Sequence, residues 1–189
     1  MKNDIKLLTY SVSLIFSKDI ENLLSSIRHK IAKLTNNTYS DNLNIPPHIT
    51  LGMFRAYNGK NDKINFLENL KPFISYIHRE NNISLTLDKF EIFRNKDIFG
   101  KFKNCDVVLL KELNKLLHGC AQDKYKPCCN NLYIEKNFYP HVSIITGLSN
   151  KELNIGLEAI DIYKNLICPI DKLIIAERQP YNVFYEEKL

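Results

Sequence analysis

The chain has 189 residues, a formal net charge of +5 and 44% hydrophobic residues. This length and composition allow one folded domain with a substantial core, and they exclude a disordered or low-complexity protein. The modest positive charge is compatible with a polyanionic partner. It does not by itself indicate nucleic acid, because a solvated lysine surface produces the same charge.

Five cysteines, an odd number, predict reduced thiols in a cytoplasmic protein. The apolar stretch at residues 7–16 does not fit a signal peptide, because Thr9, Ser11 and Ser13 interrupt it and no small-residue cleavage site follows. No apolar run reaches the length needed to cross a membrane. We therefore expect no membrane partner, and we expect the chain to act as a monomer.

In chain order, the first predicted element is a strand over residues 6–16, whose polar face, with Thr9, Ser11 and Ser13, is expected to be wet. A helix follows, with Ser17 as its cap and Asn36 and Asn37 at its end. Its apolar stripe consists of Ile20, Leu23, Leu24, Ile27, Ile31 and Leu34. A polar loop then leads to a short strand over residues 48–54.

The next helix has an apolar face formed by Ile64, Leu67, Leu70, Phe73, Ile74 and Ile77. Asp62 is a possible cap, and Pro72 is expected to kink or divide this helix. Residues 83–93 alternate as a strand with an irregularity near Asp88, and residues 98–102 are predicted to pair with them as a hairpin. Residues 106–110 fit a strand and a helix equally well.

A helix containing Leu113, Leu116 and Leu117 is expected to stop at Gly119. Residues 124–138 show the least regular pattern and lead to a strand at His141. Ser149 and Glu152 have the spacing of a capping box at the start of another helix. Two closing strands, residues 173–176 and 183–185, are predicted on either side of a turn at residues 179–180.

Similar element orders in the two halves predict an α+β fold over residues 1–189, a single domain of two pseudo-symmetric lobes. One half contains a strand, a helix and the strand at His48, and the other half contains the remaining elements. Helices are expected on the outside, with the sheets facing a central cleft.

One short motif occurs twice, first as Pro46-Pro47-His48-Ile49-Thr50-Leu51 and then as Tyr139-Pro140-His141-Val142-Ser143-Ile144. Because side chains alternate along a strand, the histidine and the hydroxyl residue share one face in each copy, and the aliphatic residues share the other. Two such strands brought together would place two imidazoles and two hydroxyls around one cleft. This set of groups suits acid–base chemistry on a phosphate ester.

The bare spacing of histidine and hydroxyl is a weak signal, since two incidental strand histidines would also produce it. The preceding proline and the aliphatic neighbours, present in both copies, make the pattern more specific. His29, His78 and His118 lack this context.

The two motifs resemble those of the 2H phosphoesterase superfamily, above all its bacterial 2′-5′ RNA ligase and RNA 2′,3′-cyclic phosphodiesterase branch. Ser143 stands where many members carry threonine. The resemblance implies a bilobal fold with antiparallel sheets facing the cleft, and an RNA end or nucleotide with a 2′,3′-cyclic phosphate or a 2′-5′ linkage as substrate. It further implies His141 as the base and His48 as the acid. Thr50 and Ser143 would then stabilise the charge that develops on the phosphate.

Some residues near the motifs are weaker candidates for substrate binding. Phe138 and Tyr139 are suited to stacking on a base, although packing at the edge of a lobe explains them equally well. Arg55, Lys136 and Arg178 lie near motif or closing strands and are candidates for phosphate contacts. For these three residues, solvated surface is the simpler interpretation.

Two alternatives to a metal-independent phosphoesterase remain open. Cys120, Cys128 and Cys129 with His118 are a conceivable zinc cluster, but paired Cys-x-x-Cys spacing is absent and adjacent cysteines rarely bind one zinc ion. No carboxylate accompanies either motif, so the sequence predicts no metal and no cofactor. The second alternative is a nucleotide- or RNA-binding module that has the same cleft and little turnover.

Overall fold

The computed structural model describes residues 9–42, 45–56, 61–80, 82–121, 124–178 and 180–189. Within these ranges the fold is α+β. The strands are β1 (Thr9–Phe16), β2 (His48–Arg55), β3 (Ser84–Phe93), β4 (Asp97–Phe102), β5 (His141–Ile145), β6 (Leu166–Arg178) and β7 (Tyr181–Lys188). The helices are α1 (Lys18–Thr35), α2 (Tyr39–Asn42), α3 (Asp62–Arg79), α4 (Asn104–Ala121) and α5 (Asn150–Ile160). The start of the first predicted strand, residues 6–8, and Gln179 of the predicted turn lie outside the described residues.

The seven strands form one antiparallel sheet in the order β1-β2-β5-β4-β3-β6-β7, and β1 also pairs with β6. Strand β6 is long enough to pair with two different strands along its length. Its residues 166–169 pair with β3, and its residues 170–177 pair with β1. Strands β2 and β5 are joined at one residue pair, Ile49 and Val142. The two motif strands therefore meet at a single point in the sheet.

The helices pack mainly against elements other than the strands that precede them in the chain. Helix α1 contacts β1 but packs more extensively against α5 and β5, and α4 packs against α3 and β2. The expected half made of a strand, its helix and the motif strand at His48 is therefore not seen as a separate packing unit, because its helix also contacts elements of the other half. The packing interleaves elements from both halves, so that each motif strand is supported by a helix from the other half of the chain.

The first strand corrects another expectation, because its polar face is not wet. Ser11 and Ser13 are both buried. Strand β1 is paired along both edges, with β2 and with β6. The Ser11 hydroxyl donates a hydrogen bond to the carbonyl of Ala176 at 3.4 Å, so its polar group is satisfied within the sheet and needs no water.

Several local expectations about turns and helix ends are confirmed. The hairpin of β3 and β4 forms, and its register shifts between Leu87 and Lys89, at the expected irregularity. Ser149 and Glu152 form the capping box of α5, with both reciprocal hydrogen bonds present. Helix α1 ends before Asn36, which adopts the left-handed conformation suited to a helix C-terminus. Ser17 stands at the cap position of α1, but its side chain makes no capping hydrogen bond there.

Two residues expected to bend or end helices do not divide them. Helix α3 continues through Pro72, which lies on its exposed side, where water can bond the carbonyl that loses its donor. Helix α4 includes residues 106–110 and continues through Gly119, because Leu117 and Ala121 carry its buried face past the glycine. Two residues assigned to apolar stripes, Leu34 and Ile64, are exposed.

Asp62 is a buried acceptor and not a helix cap. Asn61 occupies the cap position of α3, while the Asp62 residue is only 8% exposed. Its carboxylate accepts hydrogen bonds from the hydroxyls of Tyr10 at 2.8 Å and Tyr125 at 2.9 Å. This carboxylate therefore joins β1 to α3 and to the segment that precedes the second motif.

We expect the Asp62→Ala substitution to lower the free energy of unfolding by about 1 to 3 kcal/mol, because the buried phenol of Tyr10 loses its acceptor while that of Tyr125 keeps the backbone carbonyl of residue 62. Chemical denaturation measures this loss. Asp62→Asn should cost less, since the amide keeps one acceptor oxygen, and Asp161→Ala on the exposed surface should change little. A loss for Asp62→Ala no larger than that of Asp161→Ala would contradict the role assigned to this carboxylate.

Candidate functional site

A cavity of about 300 Å³ contains both copies of the motif. His48 and Thr50 of β2 line it together with His141 and Ser143 of β5. The structure thus brings together the four residues that the sequence singled out for catalysis. Arg28, Tyr133 and Arg178 contribute further polar groups to the same walls.

The single junction between β2 and β5 explains why the two motifs face each other. Ile49 and Val142, the residues between histidine and hydroxyl in each motif, form the pair that joins the strands, and both are fully buried. Because the strands are antiparallel, His48 lies on the Ser143 side of this pair, and Thr50 lies on the His141 side. Burial of the central aliphatic residues therefore turns all four polar groups toward the opposite face.

Both imidazoles are held by the same local hydrogen bond. Nδ1 of His48 lies 2.8 Å from the carbonyl oxygen of Pro46, and Nδ1 of His141 lies 2.7 Å from that of Tyr139. A carbonyl only accepts, so Nδ1 carries the proton in each ring and Nε2 is the nitrogen left to exchange one. The proline between carbonyl and histidine restricts the preceding residue to extended conformations, which accounts for its presence in both motifs.

Burial and nearby charges favour the neutral form of both histidines. Burial, followed by the positive charges of Arg178 and Arg28, lowers the pKa of His48 to about 4. Burial also lowers the pKa of His141, and the charge of Arg94 acts in the same direction, while Asp97 opposes it. His48 therefore lies in a more positive environment than His141, and its neutral form is favoured more strongly than that of His141.

Two arginines give the cleft its positive charge. Arg178, at the end of β6, donates a hydrogen bond from Nη1 to the Met53 sulfur at 3.5 Å. Arg28 of α1 donates to the carbonyls of Ile144 and Ile45, each at 3.0 Å, and so ties the helix to both motif segments. An anionic ligand in the cavity would lie between two guanidinium groups.

Tyr133 is a site residue that the sequence analysis did not identify. Its carbonyl accepts hydrogen bonds from Nδ2 of Asn114 and Nε2 of His118, both at 2.7 Å, which fix it to α4. Asn114 also donates to the carbonyl of Leu51 in β2, so the tyrosine is held in register with the first motif. Burial raises the pKa of Tyr133 more than its hydrogen bond with Thr50 lowers it. The phenol therefore stays protonated and can donate to a ligand.

The weaker candidates have different outcomes. Arg178 lines the cavity, which agrees with its role as a candidate for phosphate contacts rather than with the simpler interpretation of solvated surface. Phe138 is only 4% exposed and packs in the hydrophobic core, so the structure favours packing, one of its two equally weighted interpretations, over stacking on a base. Arg55 ends β2, seven residues beyond His48 and thus roughly 23 Å away along the strand, so it does not reach the cleft. Lys136 is exposed and is not among the residues that line the cavity.

Tyr139 lies beside the cleft rather than within its walls. It is 42% exposed, and its ring stacks on Phe93 with a centroid distance of 6.2 Å. Phe99 packs edge-on against the same ring at 5.6 Å, and the His141 ring lies 6.3 Å away. The exposed tyrosine therefore belongs to an aromatic cluster that also contacts one of the cleft histidines.

The described part of the chain contains no group of three or more His, Cys, Asp and Glu side chains arranged to hold a metal ion. His118, a member of the conceivable zinc cluster, is instead bonded to the Tyr133 carbonyl. Over the same residues, no helix is long and apolar enough to cross a membrane. Comparisons with protein-family models and with curated proteins gave no match.

Proposed function

We propose that the protein is a 2H-type phosphoesterase that opens the 2′,3′-cyclic phosphate of an RNA end or nucleotide to a 2′-monophosphate. One observation carries the proposal: two pairs of histidine and hydroxyl converge on a single cavity, and each Nδ1 is tied to a carbonyl two residues earlier. This arrangement supplies two equivalent Nε2 atoms, one to accept a proton and one to donate it. In this proposal, the strand groups β7-β6-β1-β2 and β6-β3-β4-β5 are the two lobes on either side of the cleft.

The reaction needs one neutral and one protonated imidazole. The neutral ring takes a proton from water as the water oxygen bonds to phosphorus. The bond from phosphorus to the 3′ oxygen breaks, and the protonated ring gives its proton to that oxygen. The negative charge that develops on the non-bridging oxygens would be stabilised by hydrogen-bond donors that line the cavity: Thr50, Ser143, Tyr133, Arg28 and Arg178. Joining two ends through a 2′-5′ linkage would use the same groups, with a 5′-hydroxyl in place of water as the nucleophile and the 3′ oxygen again as the leaving group.

The charges around the cleft favour His48 as the base and His141 as the acid, which is the reverse of the order that the resemblance implies. Burial and the two arginines make His48 the poorer holder of a proton in the empty cleft. Among the described residues, the charge of Arg94 lowers the pKa of His141, and the charge of Asp97 opposes it. We therefore assign proton abstraction from water to His48 and protonation of the leaving oxygen to His141.

We expect the pH profile of kcat/KM to be bell-shaped, with its maximum on the acidic side of neutrality. Activity falls at high pH, as the acid loses its proton, and at low pH, as the base gains one. Both pKa values lie below the ordinary histidine value of about 6.5, and that of His48 is about 4. The maximum of kcat/KM should therefore lie between the pKa of His48 and the ordinary histidine pKa. Steady-state hydrolysis of a nucleoside 2′,3′-cyclic phosphate, with and without excess chelator, measures the profile.

The same experiment separates this proposal from its competitors. Hydrolysis should survive the chelator, because no step uses a metal ion. Activity lost with chelator and restored by zinc or manganese would contradict the mechanism. No turnover between pH 4 and 8, together with tight binding of a 2′-monophosphate, would instead identify a binding module with the same cleft.

A further inference from the structure

Cys128 and Cys129 are adjacent in the chain, and their side chains are in contact. Their Sγ atoms lie 3.0 Å apart, although both residues are free cysteines. Consecutive residues of an extended strand point to opposite sides. The two thiols meet because Cys128 is extended while Cys129 has φ of 58°, in the left-handed region.

The backbone holds this pair in place against the motif strand. The Cys128 amide donates a hydrogen bond to the Met53 carbonyl of β2 at 3.0 Å, and the neighbouring Pro127 forms a bridge with Phe54. After the pair, Asn130 and Asn131 also have positive φ, at 54° and 59°. A run of three left-handed residues thus begins at Cys129 and fixes the direction of its side chain.

The two thiols have different environments. Cys128 is buried and Cys129 is exposed, so only the second is open to a reagent in solution. The hydrogen bond from Cys128 and the positive charge of Arg178 lower the pKa of Cys129, whereas the same hydrogen bond and burial raise the pKa of Cys128. The exposed sulfur is therefore the nucleophile, and the buried sulfur stays a thiol beside it.

We propose that Cys128 and Cys129 form a modification site at which a hydroperoxide is reduced while the two thiols close to a vicinal disulfide. The Cys129 thiolate attacks one peroxide oxygen, the O–O bond breaks, and the departing hydroxide or alkoxide takes up the proton that the Cys129 thiol released, so that water or an alcohol is formed and Cys129 becomes a sulfenic acid. The Cys128 thiol then attacks that sulfur, an S–S bond forms, and the sulfenic oxygen leaves as water. Overall, two thiols and one organic hydroperoxide give one disulfide, one water and one alcohol. With hydrogen peroxide as the oxidant, the products are one disulfide and two waters.

The site adjoins the cleft, but the inference does not depend on the proposed function. Arg178 lines the cleft and also interacts with the thiol pair, and Tyr133 follows the pair by four residues. None of the steps above involves the cleft histidines. Oxidation of the pair can therefore be followed on the protein itself, without any assay of phosphoesterase activity.

The test is to treat the full chain with stoichiometric hydrogen peroxide, digest it without reductant and map the thiols by mass spectrometry. The expected result is loss of two hydrogens within the single peptide that contains both cysteines, reversed by a dithiol. In Cys128→Ser, Cys129 should accumulate as a sulfenic acid that a dimedone reagent traps. Cys105→Ser, which removes an exposed thiol elsewhere, should leave the pair's oxidation unchanged.

A second measurement uses the wild-type chain alone. Phenylarsine oxide, which needs two neighbouring thiols, should bind in one equivalent and should no longer bind after peroxide treatment. The proposal is overturned if peroxide leaves both thiols intact, or joins Cys129 to another cysteine or another chain. It is equally overturned if phenylarsine oxide does not bind to the reduced protein.

Discussion

Replacement of either cleft histidine with alanine should lower kcat/KM for a nucleoside 2′,3′-cyclic phosphate by a factor of about 10² to 10⁴, the usual contribution of one general acid or base. His48→Ala and His141→Ala each remove one of the two proton-transfer groups that line the cavity. The double variant should lose less than the product of the two single losses, because the pair acts as a unit. Steady-state kinetics on the three variants measures these factors.

His29→Ala is the matched control, since His29 is exposed on α1 and belongs to neither motif. It should retain full activity. The cleft variants should still bind a 2′-monophosphate, because the arginines and hydroxyls remain. If His48→Ala and His141→Ala both keep more than about a tenth of the wild-type kcat/KM, the histidines do not supply general acid–base catalysis.

A substrate with sulfur in place of the 3′ oxygen distinguishes the acid from the base. A thiolate leaves without needing a proton, so the loss of the general acid matters less for this substrate. His141→Ala should therefore lose less activity on the sulfur substrate than on the oxygen substrate, while His48→Ala should lose the same on both. The reverse result would restore the order of roles that the resemblance implies.

Arg178→Ala should lower kcat/KM by about 10² to 10³, comparable to the loss of one donor that stabilises developing charge. The same substitution should raise the pKa of His48 toward its ordinary value, because Arg178 is the first among the neighbouring charges that lower it. NMR titration of the imidazole measures the second effect independently of turnover. A residue that only supports the fold would not shift this titration.

Arg55→Ala is the control for Arg178→Ala, because it removes an exposed arginine at the far end of β2. It should change neither kcat/KM nor the titration of His48. If Arg178→Ala leaves the pKa of His48 in place, or if Arg55→Ala has the larger effect on activity, the assignment of Arg178 to the anion site is wrong.

The parts of the site that could be predicted from the sequence are those encoded locally. Strand alternation around Ile49 and Val142 was enough to orient four polar side chains, because buried aliphatic residues leave only one face for the others. Outside the site, two features of the fold could also be predicted because they depend on residues close in the sequence. These are the capping box at Ser149 and the irregularity near Asp88.

Other features depend on contacts between distant segments, and local sequence patterns indicate them only in part. Arg28 falls between Leu24 and Ala32 on the buried side of α1. A charged residue on that apolar stripe indicates a site residue, but Arg28 was not among the predicted candidates. Tyr133 offered no such signal, because its position depends on the hydrogen bond from Asn114. Phe138 was a candidate for base stacking because it adjoins the motif, with packing as an equal alternative, and its neighbours in space belong to the core.

The pairing of β1 with β6 also constrains the order in which the protein can be completed during synthesis. Ser11 pairs with Ala176, 165 residues further along the chain, so β1 leaves the ribosome long before its partner exists. Until β6 is made, β1 has one of its edges unpaired, and Arg178 is missing from the cleft. Such distant pairings close slowly because the intervening chain must first be ordered. A nascent chain that carries both histidines would therefore lack a finished anion site, and this strand edge is where it is most exposed to wrong pairing.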